Sequence, residues 1–479
     1  MLDSAPSADE DIPLVVDLDG TLLRSDLLVE SFFSLLASKP LAGLASVFKL
    51  AAGRAALKAH LAERAPLDID TLPLDSAVLD HLRREKANGR RLYLASAADR
   101  RYVERLADKL AIFDGTFGSS PTLNLSGRAK ADALCSEFGE KGFDYIGNGR
   151  ADLEVWQRCR QPVAANAPPS LFRRLRDIRP DAISVCGASP RIGTYLQSMR
   201  VHQWVKNILI LVPLAASHKI NALTVANSLL AVIAFCLLAS GTYLLNDLLD
   251  LANDRDHATK RHRPLASGAL PLPHGMALAP ALTLVSIVLG AMVSFEFVEV
   301  LALYGVTTVA YSVYFKQRML IDVLALAGLY SIRILAGSAA IGLPPSQWLL
   351  AFSVFVFLCL AIIKRYIELV GRLQQNAGNP RGRGYRIDDL PILSGLAAAS
   401  GYCSVLVLAL YFNSPEVHAL YSHPGRLWLV CPPMIYWVSR LLLLAHRGEL
   451  HDDPVVFAVT DRVSLGVGSL MTAIVASAV

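Results

Sequence analysis

Residues Tyr243 to Gly268 read YLLNDLLDLANDRDHATKRHRPLASG. Taken as a helix from Asn246 to Asp254, the run places Asp247, Asp250 and Asp254 at i, i+3 and i+7, within an arc of about 60°, with Asp256 pointing the other way. Three carboxylates on one helical face repel one another unless a cation lies among them. Oxygen donors at this spacing, with Asn246 opening the run, suit Mg²⁺, an ion usually shared between carboxylates and substrate phosphates. Behind them stand Lys260, Arg261 and Arg263, whose donors suit phosphate oxygens. The segment follows an apolar run, so the expected chemistry is diphosphate binding at a lipid–water interface. A merely solvated helix end would scatter its charges around the axis.

A second acidic pair lies near the start. VVDLDGTLLRSD (15–26) ends a Val-rich run of strand length with Asp17 and Asp19. Two residues apart at a strand's end, these carboxylates can share one metal-side pocket.

The elements that position these groups differ between the two halves. The chain has 479 residues, 53% hydrophobic and only 18% charged, where a soluble protein carries about 25% charged residues. Much of it is therefore expected in lipid. In the first half, PLVVDLDG (13–20), RRLYLASAAD (90–99) and FDYIGNG (143–149) alternate with helical patterns, which predicts a parallel, doubly wound sheet. Residues 28–65 read as a helical cap, although their basic residues also allow them to lie on a membrane surface. A last strand and a linker follow over 161–190. The opening residues lack the pattern of a secretory leader, so the first ~190 residues are expected to stay in the cytoplasm. The seven cysteines show neither C-x-x-C nor zinc spacing.

The second half contains about nine apolar segments of spanning length, near 202–218, 223–245, 276–294, 298–315, 320–342, 347–367, 391–412, 427–445 and 456–478. The connections 246–275, 316–319, 364–390 and 446–455 carry most of the Lys and Arg, and their alternates almost none. Basic connections stay cytoplasmic. This expectation puts residues 1–200 inside and the C-terminus outside, across a cell's inner (plasma) membrane. Net charge is a modest +5, and no nucleic-acid partner is expected.

Asn246-Asp247-x-x-Asp250-x-x-x-Asp254, followed by His257-x-x-Lys260-x-x-Arg263-Pro264-Leu-Ala-Ser-Gly268, resembles the UbiA superfamily of intramembrane prenyltransferases over about 195–479. The resemblance implies an all-α multi-pass bundle that holds a diphosphate through Mg²⁺. RVHQWVKNILILVPL (200–214), IIKRYIEL (362–369) and DDPVVFAVTDRVS (452–464) look like its polyprenyl-phosphate phosphoribosyltransferase branch. That implies phosphoribosyl diphosphate as donor and a polyprenyl phosphate as acceptor. Aromatic-acceptor members carry a second D-x-x-x-D pair; here Asp322 is followed at that spacing by Leu326, which fits the phosphoribosyl branch better. Ionisable groups within membrane segments are costly and usually functional, so Lys206, Asn207, Asp322, Arg333, Lys364 and Arg365 are candidate substrate-binding residues. An aromatic-acceptor prenyltransferase of the quinone type is the competing reading, and a non-enzymatic membrane protein with a soluble regulatory domain is a third.

Asp17-x-Asp19-Gly-Thr, Ser96 in YLASAAD, Lys130 in GRAKADAL and Gly147-Asn148-Gly-Arg-Ala-Asp152 resemble, in order, the haloacid dehalogenase superfamily over about 10–170. The resemblance implies a Rossmann-like domain (1–175, cap about 28–85), with a linker at 176–194. It implies Asp17 as phosphoryl-accepting nucleophile, Asp19 as general acid/base, Ser96 and Lys130 as the catalytic residues of its hydroxyl and basic motifs, and Mg²⁺ held by Asp17, Asp19, Asn148 and Asp152. The family has Asp where Asn148 stands, which weakens the metal set. The 5-phosphate of the ribosyl product is the substrate that this fusion suggests.

Overall fold

The computed structural model describes residues 12–185, 190–217, 220–257, 259–375, 378, 384–450 and 453–479. Residues 1–11, Cys186, much of the 376–383 connection and Asp452 of the 452–464 stretch lie outside the described residues. The chain divides into two compact units: Met1–Met199 with Tyr243–Ala279, and Arg200–Thr242 with Pro280–Val479.

The first unit is built on six parallel strands: β1 (Leu14–Val16), β2 (Leu92–Asp99), β3 (Gly115–Ser119), β4 (Asp144–Gly147), β5 (Pro162–Ala164) and β6 (Ile183–Ser184). Their order is β3-β2-β1-β4-β5-β6. Leu14 pairs with Leu92 on one side and Asp144 on the other. The winding thus reverses at β1, and the crevice of such a sheet opens at the carboxyl ends of the strands. That is where Asp17, Asp19 and the Gly147–Asp152 turn lie. The expected alternation is present, and β1, β2 and β4 fall in the three runs read as strands. β3 (GTFGS) lacks an apolar pattern, and β6 extends the sheet into the stretch read as linker.

Above the sheet the cap comprises a helix at Leu27–Ser38, another at Pro40–Ser46, a 3₁₀ turn at Val47–Ala52 and a helix at Arg54–Arg64. Asp26 caps the first of these by accepting from the Val29 N–H at 3.1 Å.

The acidic segment belongs to this same unit. The helix Ala222–Leu249 ends one residue before Asp250, whose backbone leaves the helical region (φ −104°, ψ 14°), and Leu251–Asp256 forms a separate turn of helix. The continuous helix expected across Asn246–Asp254 is therefore broken at its middle carboxylate. A buried ion pair anchors the short helix: Arg255 contacts both carboxylate oxygens of Glu30, at 2.5 and 3.1 Å, and donates through Nε to the Ala266 carbonyl at 2.9 Å. Ser25 also donates to Glu30. Nearby, Gly268 (φ +71°) lies so close to Arg24 that a Cβ would come within 2.4 Å of its carbonyl oxygen. Only glycine fits there.

The second unit contains the apolar helices. Among the described residues, seven are long and apolar enough to cross a membrane: Ala222–Leu249, Leu272–Val293, Phe295–Val313, Ile321–Ala340, Gln347–Gln374, Ile387–Phe412 and Pro424–Arg447, the first two of which run on into the first unit. A pair bent by 74°, Pro454–Thr460 with Arg462–Ala478, makes an eighth if counted as one span. The expected count of nine is not reproduced. The segment near 202–218 forms a 3₁₀ helix at Val201–Leu211 and one turn of α-helix at Val212–Ala216, with Lys206, Asn207 and Pro213 buried in it. Gln347–Gln374 packs along Leu390–Phe412 and Ile321–Ala340, around a core that includes Val356, Leu360, Ile363 and Val438.

Removing one partner of a buried ion pair leaves the other charge without compensation and costs about 3–5 kcal/mol. Glu30→Gln is accordingly expected to loosen residues 251–268, read as faster amide exchange across them. The double change Glu30→Leu with Arg255→Met removes both charges and is expected to stay near the parent rate.

Candidate functional sites

In the first unit the loops at the carboxyl ends of β1, β2 and β4 and the cap helices enclose a cavity of about 260 Å³ lined by Asp17, Asp19, Lys58, Lys130, Asn148 and Asp152 among others. The Lys130 ammonium lies 2.6 Å from Asp17, 2.9 Å from the Tyr145 hydroxyl and 3.7 Å from Asp152. Tyr145 in turn donates to Asp152 at 2.7 Å. The other Asp152 oxygen accepts the N–H groups of Asn148 and Gly149, at 3.0 and 2.9 Å. Asp19 accepts the Leu27 N–H at 2.9 Å and the Ser96 hydroxyl at 3.4 Å. Three of the four residues that the sequence singles out for phosphoryl chemistry, Asp17, Asp19 and Lys130, and both further metal candidates thus border one cavity, while the fully buried Ser96 lies behind it against Asp19. Burial pushes the Asp17 carboxyl up to about 6, against the pull of Lys130 and with the charge of Asp152 adding to it. Burial, then the charges of Asp26 and Asp17, push Asp19 up to about 8. Lys130 moves upward as well, since its carboxylate neighbours outweigh its burial.

Gly20 is a required glycine. Its φ is +76°, and a Cβ there would come within 2.1 Å of the Asn148 amide nitrogen.

The second acidic group, in the same unit, is held closed by a guanidinium. Arg263 Nη1 lies 3.1 Å from Asp247 and 2.6 Å from Asp254. Asp247 and Asp254 are buried, while Asn246 and Asp250 are partly exposed and Asp256 is exposed. Lys260 is partly exposed in a 3₁₀ turn at Lys260–His262. Burial and Asp247 raise the Asp254 carboxyl, with Arg263 opposing them. Among the described residues no three His, Cys, Asp or Glu side chains are gathered tightly enough to hold a metal ion. The donor chemistry nonetheless fits a hard cation: Asp247 and Asp254 present oxygens to one guanidinium nitrogen, and the Asp250 carboxylate and the Asn246 amide oxygen add further oxygen donors.

The second unit contains two clusters. In the first, Asp453 accepts from Lys206 at 3.0 Å, Lys364 at 2.6 Å and the Tyr330 hydroxyl at 3.3 Å. Arg333 donates to Asn207 at 2.9 Å and lies over the rings of Phe235, Tyr304 and Tyr330 at 5.2–5.3 Å. Lys206 approaches the same Tyr330 ring at 5.8 Å, so Lys206, Asn207, Arg333 and Lys364 form one neighbourhood. The other cluster is separate: fully buried Asp322 meets Arg365 at 2.7 Å and accepts from Tyr385 at 2.5 Å. Arg365 also contacts Glu368 and the Tyr311 hydroxyl, at 2.5 and 3.1 Å.

Sequence reasoning missed Tyr145, Lys58, Glu30, Arg255, Tyr330 and Asp453 as individual residues. Asp453 lay inside the quoted 452–464 stretch, and its Asp-Pro helix start was a usable signal. Glu30 had one too, as the lone acid opening a long apolar and basic run. Nothing local marked Tyr145, which reads as a core aromatic in a strand.

The model of the UbiA prenyltransferase family matches residues 208–460. An uncharacterized protein of Sinorhizobium fredii, y4nM, is 35% identical over 97% of this chain and 90% of its own length. The decaprenyl-phosphate phosphoribosyltransferase of Mycolicibacterium smegmatis is 36% identical over 37% of this chain and 58% of its own. A solved phosphoserine phosphatase complex aligns with 39% of this chain and 97% of its own at 14% identity, with a TM-score of 0.28. With its family match covering more than half of its length, the chain belongs to the UbiA prenyltransferase family.

Proposed function

We propose that this membrane protein transfers 5-phosphoribose from phosphoribosyl diphosphate to a polyprenyl phosphate, and that its N-terminal domain removes the 5-phosphate from the product. The observation that carries the first step is the state of Asp322. Leu326 stands where a second carboxylate would be, and Asp322 itself is closed off by Arg365 and Tyr385. The second unit thus offers cations, Lys206 and Lys364 against a single Asp453, rather than a second carboxylate clamp for a prenyl diphosphate. The phosphoribosyltransferase relative supports the same choice.

Asp247, Asp250 and Asp254 would hold Mg²⁺ with Asn246 beside them, and Mg²⁺ when bound neutralises charge on a diphosphate. Arg263, with Lys260 nearby, supplies donors for the same oxygens once it leaves the two carboxylates. Lys206 and Lys364 are assigned to the acceptor phosphate, and Arg333, through Asn207, keeps its surroundings fixed. An anionic phosphate oxygen attacks C1 of the ribose as the C1–O bond to diphosphate breaks, and no general base is needed. In the N-terminal cavity Asp17 attacks the 5-phosphate phosphorus as the ester P–O bond breaks, and Asp19 protonates the leaving oxygen. Asp19 then takes a proton from the water that attacks the phosphoaspartate, which frees phosphate and restores Asp17. Ser96 and Lys130 are assigned to the phosphate. Oxygens of Asp17, Asp152 and Asn148 suit Mg²⁺ there.

For topology we propose that the first unit and the basic 246–275 connection are cytoplasmic and the C-terminus is outside. The grouping of Met1–Met199 with Tyr243–Ala279 supports one side for both. The chain must then cross between Met199 and Ala222. A 3₁₀ helix rises about 2.0 Å per residue, so Val201–Ala216 reaches about 30 Å, the depth of a bilayer core. A cysteine in place of Ile220 is expected to react with an impermeant maleimide added to intact cells. Labelling only after permeabilisation would remove this crossing.

Purified full-length chain given labelled phosphoribosyl diphosphate and a polyprenyl phosphate is expected to form labelled lipid. Asp247→Asn or Asp254→Asn should lower the rate about a hundredfold or more. Transfer from a prenyl diphosphate to an aromatic acid, with no labelled lipid, would replace this reading by the aromatic-acceptor one.

Phosphate release from the prenyl phosphoribose 5-phosphate is expected from the parent chain and not from Asp17→Asn, whose transferase rate should be unchanged. No release by the parent chain would leave the N-terminal cavity without this role.

A further inference from the structure

The tip of the cap is apolar and uncovered. Leu41, Leu44, Val47, Phe48 and Leu50 are 84%, 58%, 49%, 83% and 51% exposed. Five large apolar side chains within ten residues exceed the scattered exposure normal for a soluble surface. They lie on the short helix Pro40–Ser46 and the 3₁₀ turn Val47–Ala52, which together form one apolar helical stretch. The charges around them have a single sign. Between Glu30 and Glu63 there is no acidic residue, while Lys39, Lys49, Arg54 and Lys58 are all basic; Lys39, Lys49 and Arg54 are exposed.

The unit that bears this tip is bound to a bilayer by its own chain. It contains Tyr243–Leu249 and Leu272–Ala279, the ends of two helices of spanning length. An apolar surface ringed by cations, on a unit tethered at two helix ends, matches an interfacial insertion in which side chains enter the acyl boundary and Lys and Arg meet anionic headgroups. The tip also joins the two cap helices that line the cavity. Leu27, Leu28 and Ser31 come from the helix before it, and Arg54, Lys58 and Leu61 from the helix after it.

We propose that residues 40–52 dock the cap into the lipid surface, so that the N-terminal cavity opens at the membrane and takes phosphate esters anchored in it. Docking itself does not depend on the phosphatase reading. The preference for anchored esters rests on that reading.

The test uses the full chain, one copy per nanodisc of phosphatidylcholine and phosphatidylglycerol, with Phe48 replaced by the photoreactive analogue benzoylphenylalanine. Illumination is expected to give a lipid adduct at position 48, as it should at Leu284 in a spanning helix, and none at Leu123, an exposed apolar site elsewhere in the first unit. Absence of a lipid adduct at 48, with the Leu284 control labelled, would overturn docking. So would a protein–protein adduct at 48 in samples holding two copies, which would make the tip a contact between chains. A second assay addresses the anchored substrate. Leu44→Gln with Phe48→Gln is expected to raise KM for a vesicle-borne phosphate ester about tenfold, leaving kcat and the hydrolysis of a soluble aryl phosphate unchanged. Equal loss on both esters would attribute the effect to folding and defeat the substrate preference. If neither ester is hydrolysed by the parent chain, the phosphatase reading and this preference fail together, while the lipid adduct still decides docking.

Discussion

Arg255 and Glu30 meet almost out of contact with water, and both acidic sites of the first unit depend on that contact. Glu30 lies in the first turn of the cap helix whose opening N–H, at Leu27, is accepted by Asp19. Arg255 directly follows Asp254 and ties the short helix to the Ala266 carbonyl. A single turn of helix therefore runs from one candidate site to the frame of the other. A shift of that turn would disturb the hydrogen bond at Asp19 and the placement of Asp254 together. Burying such a pair costs desolvation at both ends, and it is tolerated only with good geometry and additional partners. Ser25 and the Ala266 carbonyl are those partners.

The same rule governs other enclosed carboxylates. Asp17 is held by Lys130, Asp247 and Asp254 by Arg263, Asp453 by Lys206 and Lys364, and Asp322 by Arg365. The pairings differ in consequence. Asp322 and Arg365 are both enclosed and make further contacts, Asp322 with Tyr385 and Arg365 with Glu368 and Tyr311. Arg263 is one-quarter exposed and bridges two acids with one nitrogen, an arrangement that a phosphate oxygen could readily exchange for its own. Lys364 is 40% exposed while its partner Asp453 is mostly buried. Its cation can therefore turn to a second anion without leaving a buried charge alone.

Sequence pattern was informative wherever one residue type had to recur at a fixed interval. Apolar runs of strand length alternating with helical patterns located β1, β2 and β4, and hydropathy located eight of the apolar segments that became helices, the last of them as a bent pair. The acidic spacing picked out Asp247 and Asp254, although the break at Asp250 shows that a 3.6-residue period was the wrong ruler across the helix end. Pattern failed where long-range pairing decided the outcome. β3 is a strand because β2 offers it an open edge, not because Gly-Thr-Phe-Gly-Ser favours one. Val201–Leu211 resisted an α-helical reading since its polar Lys206 and Asn207 have partners far away, at Asp453 and Arg333. The membership of 243–279 in the first unit had no local signal at all: it follows from the meetings of Glu30 with Arg255 and of Arg24 with Gly268, each between residues more than two hundred positions apart.

Asn148 is the sharpest departure from the pattern the N-terminal domain resembles, and its surroundings say what the change does. With aspartate there, the cavity would gather Asp17, Asp19, Asp152 and a fourth carboxylate around Lys130. With asparagine, the cavity, whose lining also includes Asp26, Asp99, Arg54 and Lys58, has one carboxylate fewer to offer a cation. The amide nitrogen lies toward Gly20, in the space that a Cβ there would take. That leaves the amide oxygen as its one donor to a cation. Asp152 has little freedom either, since two backbone N–H groups and Tyr145 hold its oxygens. A cation in this cavity would meet less negative charge but side chains that are already in place, so less ordering would be needed on binding. Asn148 in this frame would weaken a metal site there without dismantling it.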